Sequence, residues 1–163
     1  MSVKGRALRF IVDVNVGRLA TWLRAMGYDT LYIPQIEDND FIRIAYKEGR
    51  TAVTRDTQLA ERRLVTTGRL DLVLIRDHDL EGQIRQLAQD LALTFDGAFS
   101  RCLRCNEPLT SLSREEARPR VPEYVYRTQK GFEECAQCRR VYWRGTHWSN
   151  MRKDLARMLE GVS

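Results

Sequence analysis

All four cysteines of this 163-residue chain lie in two Cys-x-x-Cys pairs, Cys102 with Cys105 and Cys135 with Cys138. Each pair places two thiolates on one tight turn, and two such turns supply the four soft ligands of a closed, tetrahedral zinc site. The 29 residues between the pairs leave room for an inserted hairpin. The pattern therefore predicts a small C-terminal zinc ribbon held together by structural zinc, and the first hundred residues need a separate explanation.

Other interpretations of the cysteines remain open. Disulfides would suit a secreted chain, but the first nine residues contain no apolar signal stretch and no segment reaches transmembrane length. We therefore expect a cytoplasmic protein without membrane association, in which thiols stay reduced. A thioredoxin-like redox motif needs one Cys-x-x-Cys beside a strand–helix unit. An iron or mixed-ligand site would involve His147, which we expect instead to be a structural, hydrogen-bonded residue.

The net charge of +5 is unevenly distributed along the chain. Residues 1–100 carry 14 basic and 14 acidic side chains, whereas residues 101–163 carry 13 and 8. Tyrosines and tryptophans are interleaved with the arginines of this second part. A basic surface with interleaved aromatic side chains favours nucleic-acid binding. A solvated face around a small core is the alternative interpretation.

The first hundred residues alternate strand and helix patterns, which is typical of a parallel sheet with crossover helices. The apolar runs predict strands over residues 8–12, 29–33, 51–54 and 72–75. Helical spacing predicts helices over 16–26, from 38 to the stop at Gly49, over 57–65 and over 80–91. We predict an α/β domain over 1–99 and a ribbon over 100–163, with short strands over 121–127 and 141–144 and a terminal helix over 150–159.

Aspartates follow the predicted strands. Asp13 comes directly after the first strand, Asp38 and Asp40 follow the second, and Asp56 and Asp77 follow the third and fourth. Because right-handed crossovers bring the carboxyl ends of parallel strands to one edge, these side chains should share that edge. Clustered carboxylates repel unless a hard cation neutralises them, and oxygen ligands suit magnesium or manganese. Helix capping is the alternative role for each aspartate except Asp13, for which we favour function.

Several longer motifs resemble one known family, the Mut-seven C-terminal RNase domain family. The matching stretches span nearly the whole chain, and they are FIVD at 10–13, GRLATWLR at 17–24, GYDT at 27–30, EGR at 48–50, TRD at 54–56, SRC at 100–102, RVP at 120–122 and YWRGTHW at 142–148. The resemblance implies a PIN-like, Rossmannoid nuclease fold, with helices flanking a parallel sheet, fused to a zinc ribbon. It also implies metal-dependent ribonuclease activity, with Asp13, Asp38 and Asp56 as the magnesium or manganese ligands and Asp40 as a fourth catalytic acid.

The favoured hypothesis is therefore a ribonuclease that prefers single-stranded RNA. Arg18, Arg24 or Arg55 would hold a backbone phosphate, since a guanidinium matches phosphate geometry. The ribbon would bind RNA by charge and base stacking through a second set of side chains, namely Arg139, Arg140, Arg144 and Trp148. A nucleic-acid-binding module without turnover and a protein-interaction adaptor are the alternatives. We also expect the ribbon to be separable, so that Cys102→Ser unfolds it while the Asp13 site keeps its metal.

Overall fold

The computed structural model describes residues 7–162, so residues 1–6 of the segment without a signal stretch lie outside the described part of the chain. Four parallel strands form the N-terminal sheet, and they are β1 (Arg9–Val12), β2 (Asp29–Leu31), β3 (Thr51–Thr54) and β4 (Leu72–Leu74). Their order is β2-β1-β3-β4, which makes β1 and β3 the central, most buried strands. Since all pairings are parallel, the four strands end at one edge.

Helices connect the strands. They are α1 (Arg18–Ala25), α2 (Asp38–Glu48), α3 (Thr57–Ala60), α4 (Arg63–Thr66) and α5 (Leu80–Leu91), with a short 3₁₀ turn (Val14–Val16) before α1. The prediction of one helix over 57–65 is wrong, because the chain adopts an extended conformation at Arg62 (ψ 141°) and separates α3 from α4.

The core lies on both faces of the sheet because successive strand side chains point in opposite directions. From β1, Phe10 and Val12 pack with Leu23 of α1 on one face. Ile11 points the other way and packs with Phe41 of α2. This two-sided burial explains why β1 is a continuous apolar run.

The C-terminal part contains an antiparallel sheet of three short strands in the order β5-β6-β7. Its elements are β5 (Thr110–Leu112), α6 (Arg114–Ala117), a 3₁₀ turn (Arg118–Arg120), α7 (Glu123–Thr128), β6 (Phe132–Glu134), β7 (Val141–Tyr142) and α8 (Thr146–Met158). The predicted fold class, a parallel α/β sheet followed by a small cysteine-rich module, is confirmed.

The predicted strand over 121–127 is wrong, because this segment forms α7. Glu123 stands in the first helical turn, where a negative charge is favourable, and Arg127 pairs with it at 3.1 Å across one turn. Val121 and Val125 are four residues apart and both pack on the same small core. Four-residue spacing therefore prevails over the apparent alternation of apolar residues.

The C-terminal helix packs against the α/β part of the chain. It begins four residues before the predicted start, and it places Met151 and Leu155 in a cluster with Ala25 and Met26 at the end of α1. The guanidinium of Arg85 on α5 donates to carbonyl oxygens at the end of α8, at 2.9 and 2.8 Å. The predicted domain boundary between residues 99 and 100 stays a prediction. α8 lies after this boundary in sequence, but it packs against helices that come before it.

None of the helices in the described residues combines the length and apolar character that a membrane crossing needs.

Candidate active site and four-cysteine centre

Asp13 lies at the carboxyl end of β1 and is the most buried of the four predicted catalytic acids, with 6% of its surface exposed. Its backbone N–H donates to the carbonyl of Val53 at 2.9 Å, which ties it to β3. Its Oδ1 accepts from the N–H of Val14 at 2.8 Å, and its Oδ2 accepts from the hydroxyl of Thr54 at 2.6 Å. These hydrogen bonds offset the cost of burying a carboxylate and give it one defined orientation.

Thr54 joins Asp13 to Asp56. Its fully buried hydroxyl donates to Asp13 and accepts from the backbone N–H of Asp56 at 3.0 Å. The carboxylate of Asp56 caps α3 by accepting from the N–H of Gln58 at 2.8 Å. The capping role considered for Asp56 is therefore present, at a position next to Asp13.

Asp38 and Asp40 stand in the first turn of α2, and both are exposed. The N-cap residue of α2 is Glu37, so Asp38 is not the cap. Asp40 forms a salt bridge of 2.7 Å with Arg43 one turn later. Both aspartates add negative charge where the positive end of the helix dipole favours it.

Asp13 and Asp56 follow β1 and β3, whereas Asp38 and Asp40 stand on α2, and the four acids do not converge on one point. Within residues 7–162, the four cysteines are the one group of three or more ligand-type side chains whose donor atoms all lie within 4.8 Å of one another. The carboxylate oxygens of the four predicted acids are of the type that suits magnesium or manganese. Asp13 and Asp56 are connected through Thr54, and the acids of α2 would have to approach them to complete a three-carboxylate site.

A groove of about 510 Å³ opens beyond the carboxyl end of β1, and we call it the edge groove. Val14, which follows Asp13 in the chain, lines this groove, whereas Asp13 and Asp56 do not. Its polar lining includes Asn15, Arg18, Tyr32, Arg55 and His78. The side chain of Arg55 contacts Nδ1 of His78, and its backbone N–H donates to Oδ1 of Asn15 at 3.2 Å. Two of the arginines predicted to hold phosphate, Arg18 and Arg55, therefore share one groove.

Sequence reasoning missed Asn15, Tyr32 and His78. The glycine at position 17, just before α1, is a sequence feature that could have pointed to Tyr32. A Cβ atom at Gly17 would lie 2.9 to 3.0 Å from the Tyr32 ring, so the glycine lets this ring lie over the start of α1. Asn15 and His78 closely follow β1 and β4, where a parallel sheet gathers ligand-binding side chains.

The four cysteines converge, as predicted. All four are free, and Sγ of Cys102 lies 3.7 Å from Sγ of Cys138. Tetrahedral zinc with Zn–S bonds of about 2.3 Å separates its sulfurs by about 3.8 Å, so the spacing fits one zinc ion and is too long for a disulfide. The residues after the two turns, Asn106 and Arg139, both adopt left-handed conformations, with φ of 72° and 64°. The two turns are therefore matched knuckles.

The thiol pKa values of Cys102 and Cys105 shift in opposite directions. Burial raises the pKa of Cys102, but hydrogen bonds from the Tyr142 hydroxyl and from backbone N–H groups outweigh it and leave the pKa at about 7. Burial, a hydrogen bond with Cys138 and the neighbouring thiolates raise the pKa of Cys105 to about 12. Four thiolates cannot ionise together without a cation, so the donor set fits zinc, which would be held by Cys102, Cys105, Cys135 and Cys138.

Arg24 binds the backbone of the first knuckle, residues 102–105. Its predicted role as a phosphate contact is corrected. The residue is buried, with 7% of its surface exposed. Its guanidinium donates to the carbonyls of Thr30 (3.0 Å), Leu103 (3.0 Å) and Arg104 (3.1 Å). Since these carbonyls occupy the guanidinium, Arg24 is a structural link between α1 and the knuckle.

Asn106 makes a second link between the knuckle and the sheet. Its side chain accepts from the backbone N–H of Thr30 at 2.8 Å and donates to Asp29 at 2.7 Å. Asp29 also forms a salt bridge of 2.7 Å with the buried Arg50. Burial raises the pKa of Asp29, but the hydrogen bonds from Arg50 and Asn106 outweigh burial and lower it below its usual value. The network connects β2, β3 and the first knuckle.

The predicted RNA contacts of the ribbon are distributed over two places. Arg139 and Arg140 are exposed at the second knuckle, where Arg139 lies 3.4 Å from Glu134. Arg144 and Trp148 lie instead at the start of α8. His147 is exposed on the first turn of α8 and is not part of the cysteine cluster, and its expected role as a structural, hydrogen-bonded residue stays a prediction.

Comparison with known proteins identifies one family. The family model described as the Mut7-C RNAse domain matches residues 8–155, which is nearly the whole chain, so the chain belongs to this family. The predicted family is confirmed, and membership points to a nuclease-like function with RNA as substrate. No curated protein and no solved structure matches the chain.

Proposed function

We propose that this member of the Mut7-C RNAse domain family is a metal-dependent ribonuclease that hydrolyses single-stranded RNA at the edge groove. The observation that carries the proposal is the buried Asp13 carboxylate, oriented by Thr54 and followed in the chain by Val14, which lines the same groove as Arg18 and Arg55. A buried acid next to guanidinium groups is the combination that phosphodiester chemistry needs, because phosphate must be held while charge develops on its oxygens.

Asp13 and Asp56 would hold magnesium or manganese, with Asp38 and Asp40 completing the ligand set from α2. The metal would activate water and neutralise the charge that develops on the phosphate. The side chains of Arg18 and Arg55 would bind the backbone phosphate by paired N–H donors. Tyr32 would present a ring to a base next to the bound phosphate.

The test is manganese-dependent cleavage of labelled single-stranded RNA by the zinc-loaded wild type and by Asp13→Asn. We expect the substitution to lower the rate by at least about 100-fold, the scale of a lost catalytic group. Asp71→Asn is the matched control, because Asp71 is an exposed aspartate just before β4, at the opposite edge of the sheet. Equal cleavage by the wild type and Asp13→Asn would refute the catalytic assignment, provided that both have the same circular dichroism spectrum.

Binding without turnover is the second candidate function. It is favoured by the aspartates, which do not converge within the described residues. It predicts RNA binding that weakens with salt and no cleavage by the wild type in any divalent metal.

A further inference from the structure

A second groove, far from Asp13, is lined by aromatic and cationic side chains. It has a volume of about 480 Å³ and lies between residues 95–99 and α8. We call it the linker groove, and its principal residues are Phe95, Phe99, Arg144, Trp148, Arg152 and Leu155.

The two grooves lie at opposite ends of α1. Arg18 and Thr21, near the start of α1, line the edge groove, whereas the backbone N–H of Phe99 donates to the carbonyl of Ala25 in the last turn at 2.7 Å. The eight residues of α1 span about 12 Å. A ligand that occupies both grooves must therefore be long enough to extend past α1.

The aromatic side chains of the linker groove are held in a defined arrangement. The rings of Phe99 and Trp148 pack with centroids 5.4 Å apart at an angle of 51°. Phe99 adopts a left-handed conformation (φ 60°), which is rare for a bulky residue. Such conformations persist only where the surrounding structure enforces them, and they are often found at ligand sites. Phe95, 41% exposed, adds a third ring that faces solvent.

Two guanidinium groups lie over Trp148. Arg144 and Arg152 are 5.3 and 5.4 Å from the centre of its ring, and both are exposed. Neither forms a salt bridge within the described residues, and no acidic side chain lines the groove. A guanidinium stacked on a ring keeps its N–H donors free in its plane, which is the geometry that binds phosphate.

We propose that the linker groove is a second RNA-binding site, in which an unstacked base packs against the exposed ring of Phe95 while the adjacent phosphates bind Arg144 and Arg152, the two guanidinium groups held over Trp148. The proposal rests on RNA being the ligand of the proposed function. The linker groove would bind single-stranded RNA at a second position, separate from the edge groove. Unpaired bases expose their faces for such stacking and paired bases do not, so the groove selects single-stranded RNA.

The experiment measures the affinity of the zinc-loaded protein for a fluorescent 12-nucleotide single-stranded RNA, by anisotropy, without added magnesium or manganese. The variant is Phe95→Ser with Arg152→Gln, two exposed side chains whose loss leaves the core intact. Because one stacked base and one phosphate contact are lost, we expect binding to weaken by about 5- to 100-fold. Trp148→Leu, which keeps apolar packing with Phe99 but removes the ring that holds the guanidinium groups of Arg144 and Arg152, should weaken binding similarly.

The matched control is Tyr124→Ser with Arg118→Gln, which removes an exposed aromatic ring and an exposed guanidinium stacked on a tyrosine elsewhere in the C-terminal part. This variant should bind RNA as the wild type does. Equal RNA affinity of the linker-groove variant and this control would overturn the proposal.

The two proposals fail in distinguishable ways. If the linker-groove variants lose RNA affinity while the wild type cleaves no RNA in any divalent metal, the second site stands and the nuclease proposal fails. If Asp13→Asn abolishes cleavage while the linker-groove variants bind normally, the nuclease proposal stands and the second site fails.

Discussion

At the residue scale, Thr54 connects Asp13 and Asp56 by hydrogen bonds. We expect Thr54→Val to lower the free energy of unfolding by about 1–3 kcal/mol, because it leaves Oδ2 of the buried Asp13 without a donor and the N–H of Asp56 without an acceptor. RNA cleavage should fall as well, since Asp13 loses its fixed orientation. Urea unfolding of the zinc-loaded protein and the cleavage assay measure the two effects.

Thr51→Val is the matched control, in the same strand at the opposite edge. Thr51 is buried to a similar degree, but its hydroxyl forms no hydrogen bond within the described part of the chain. Its substitution should change stability by less than about 0.5 kcal/mol and leave cleavage unchanged. Equal effects of the two substitutions would show that Thr54 acts only through its volume.

At the scale of elements, α1 is followed by Gly27, against which the linker, residues 95–99, packs closely. Gly27 has φ +96°, and a Cβ atom there would lie 2.2 Å from the carbonyl oxygen of Gly97. We expect Gly27→Ala to cost about 1–2 kcal/mol for the left-handed backbone and a further ~1–3 kcal/mol for the contact with the linker. Thermal and urea unfolding measure the sum.

Gly68→Ala separates these two costs. Gly68 also has a positive φ (+73°), but no atom lies within 4 Å of a Cβ built on it. It should therefore show the backbone cost alone. If the two substitutions destabilise the protein equally, the close approach of the linker to α1 contributes nothing.

At the scale of the whole molecule, hydrogen bonds join the four-cysteine centre to the α/β sheet. Arg24 and Asn106 tie the first knuckle to α1 and β2, so the expectation of a separable ribbon is difficult to reconcile with the structure. We expect zinc removal by a chelator to speed amide hydrogen exchange in α1 and β2 at least about tenfold, which corresponds to about 1.4 kcal/mol.

The far strand of the sheet is the internal control. β4 lies at the opposite side from β2, and its exchange should change less. Unchanged exchange in α1 and β2 after zinc removal would mean that the ribbon is independent. Restored protection after zinc is added back is the expected result for a reversible folding element.

The sequence alone determined the features that depend on local pattern. Apolar runs located all four strands of the parallel sheet, and the paired Cys-x-x-Cys spacing identified a cluster that the structure confirms. Local patterns are reliable here because a strand buried on both faces and a metal knuckle each require a distinctive residue order. The family was recognisable for the same reason, since its motifs are short and contiguous.

Only the tertiary structure decided which of the charged residues are accessible and which meet. Arg24 and Arg55 are both arginines near predicted strand or helix ends, yet the first is buried under a knuckle and the second lines a groove. The linker groove brings Phe99 and Trp148 together from segments about 50 residues apart, a contact that no local pattern encodes. Periodicity specifies which face of an element is apolar, whereas the neighbour that covers it depends on how the whole chain packs.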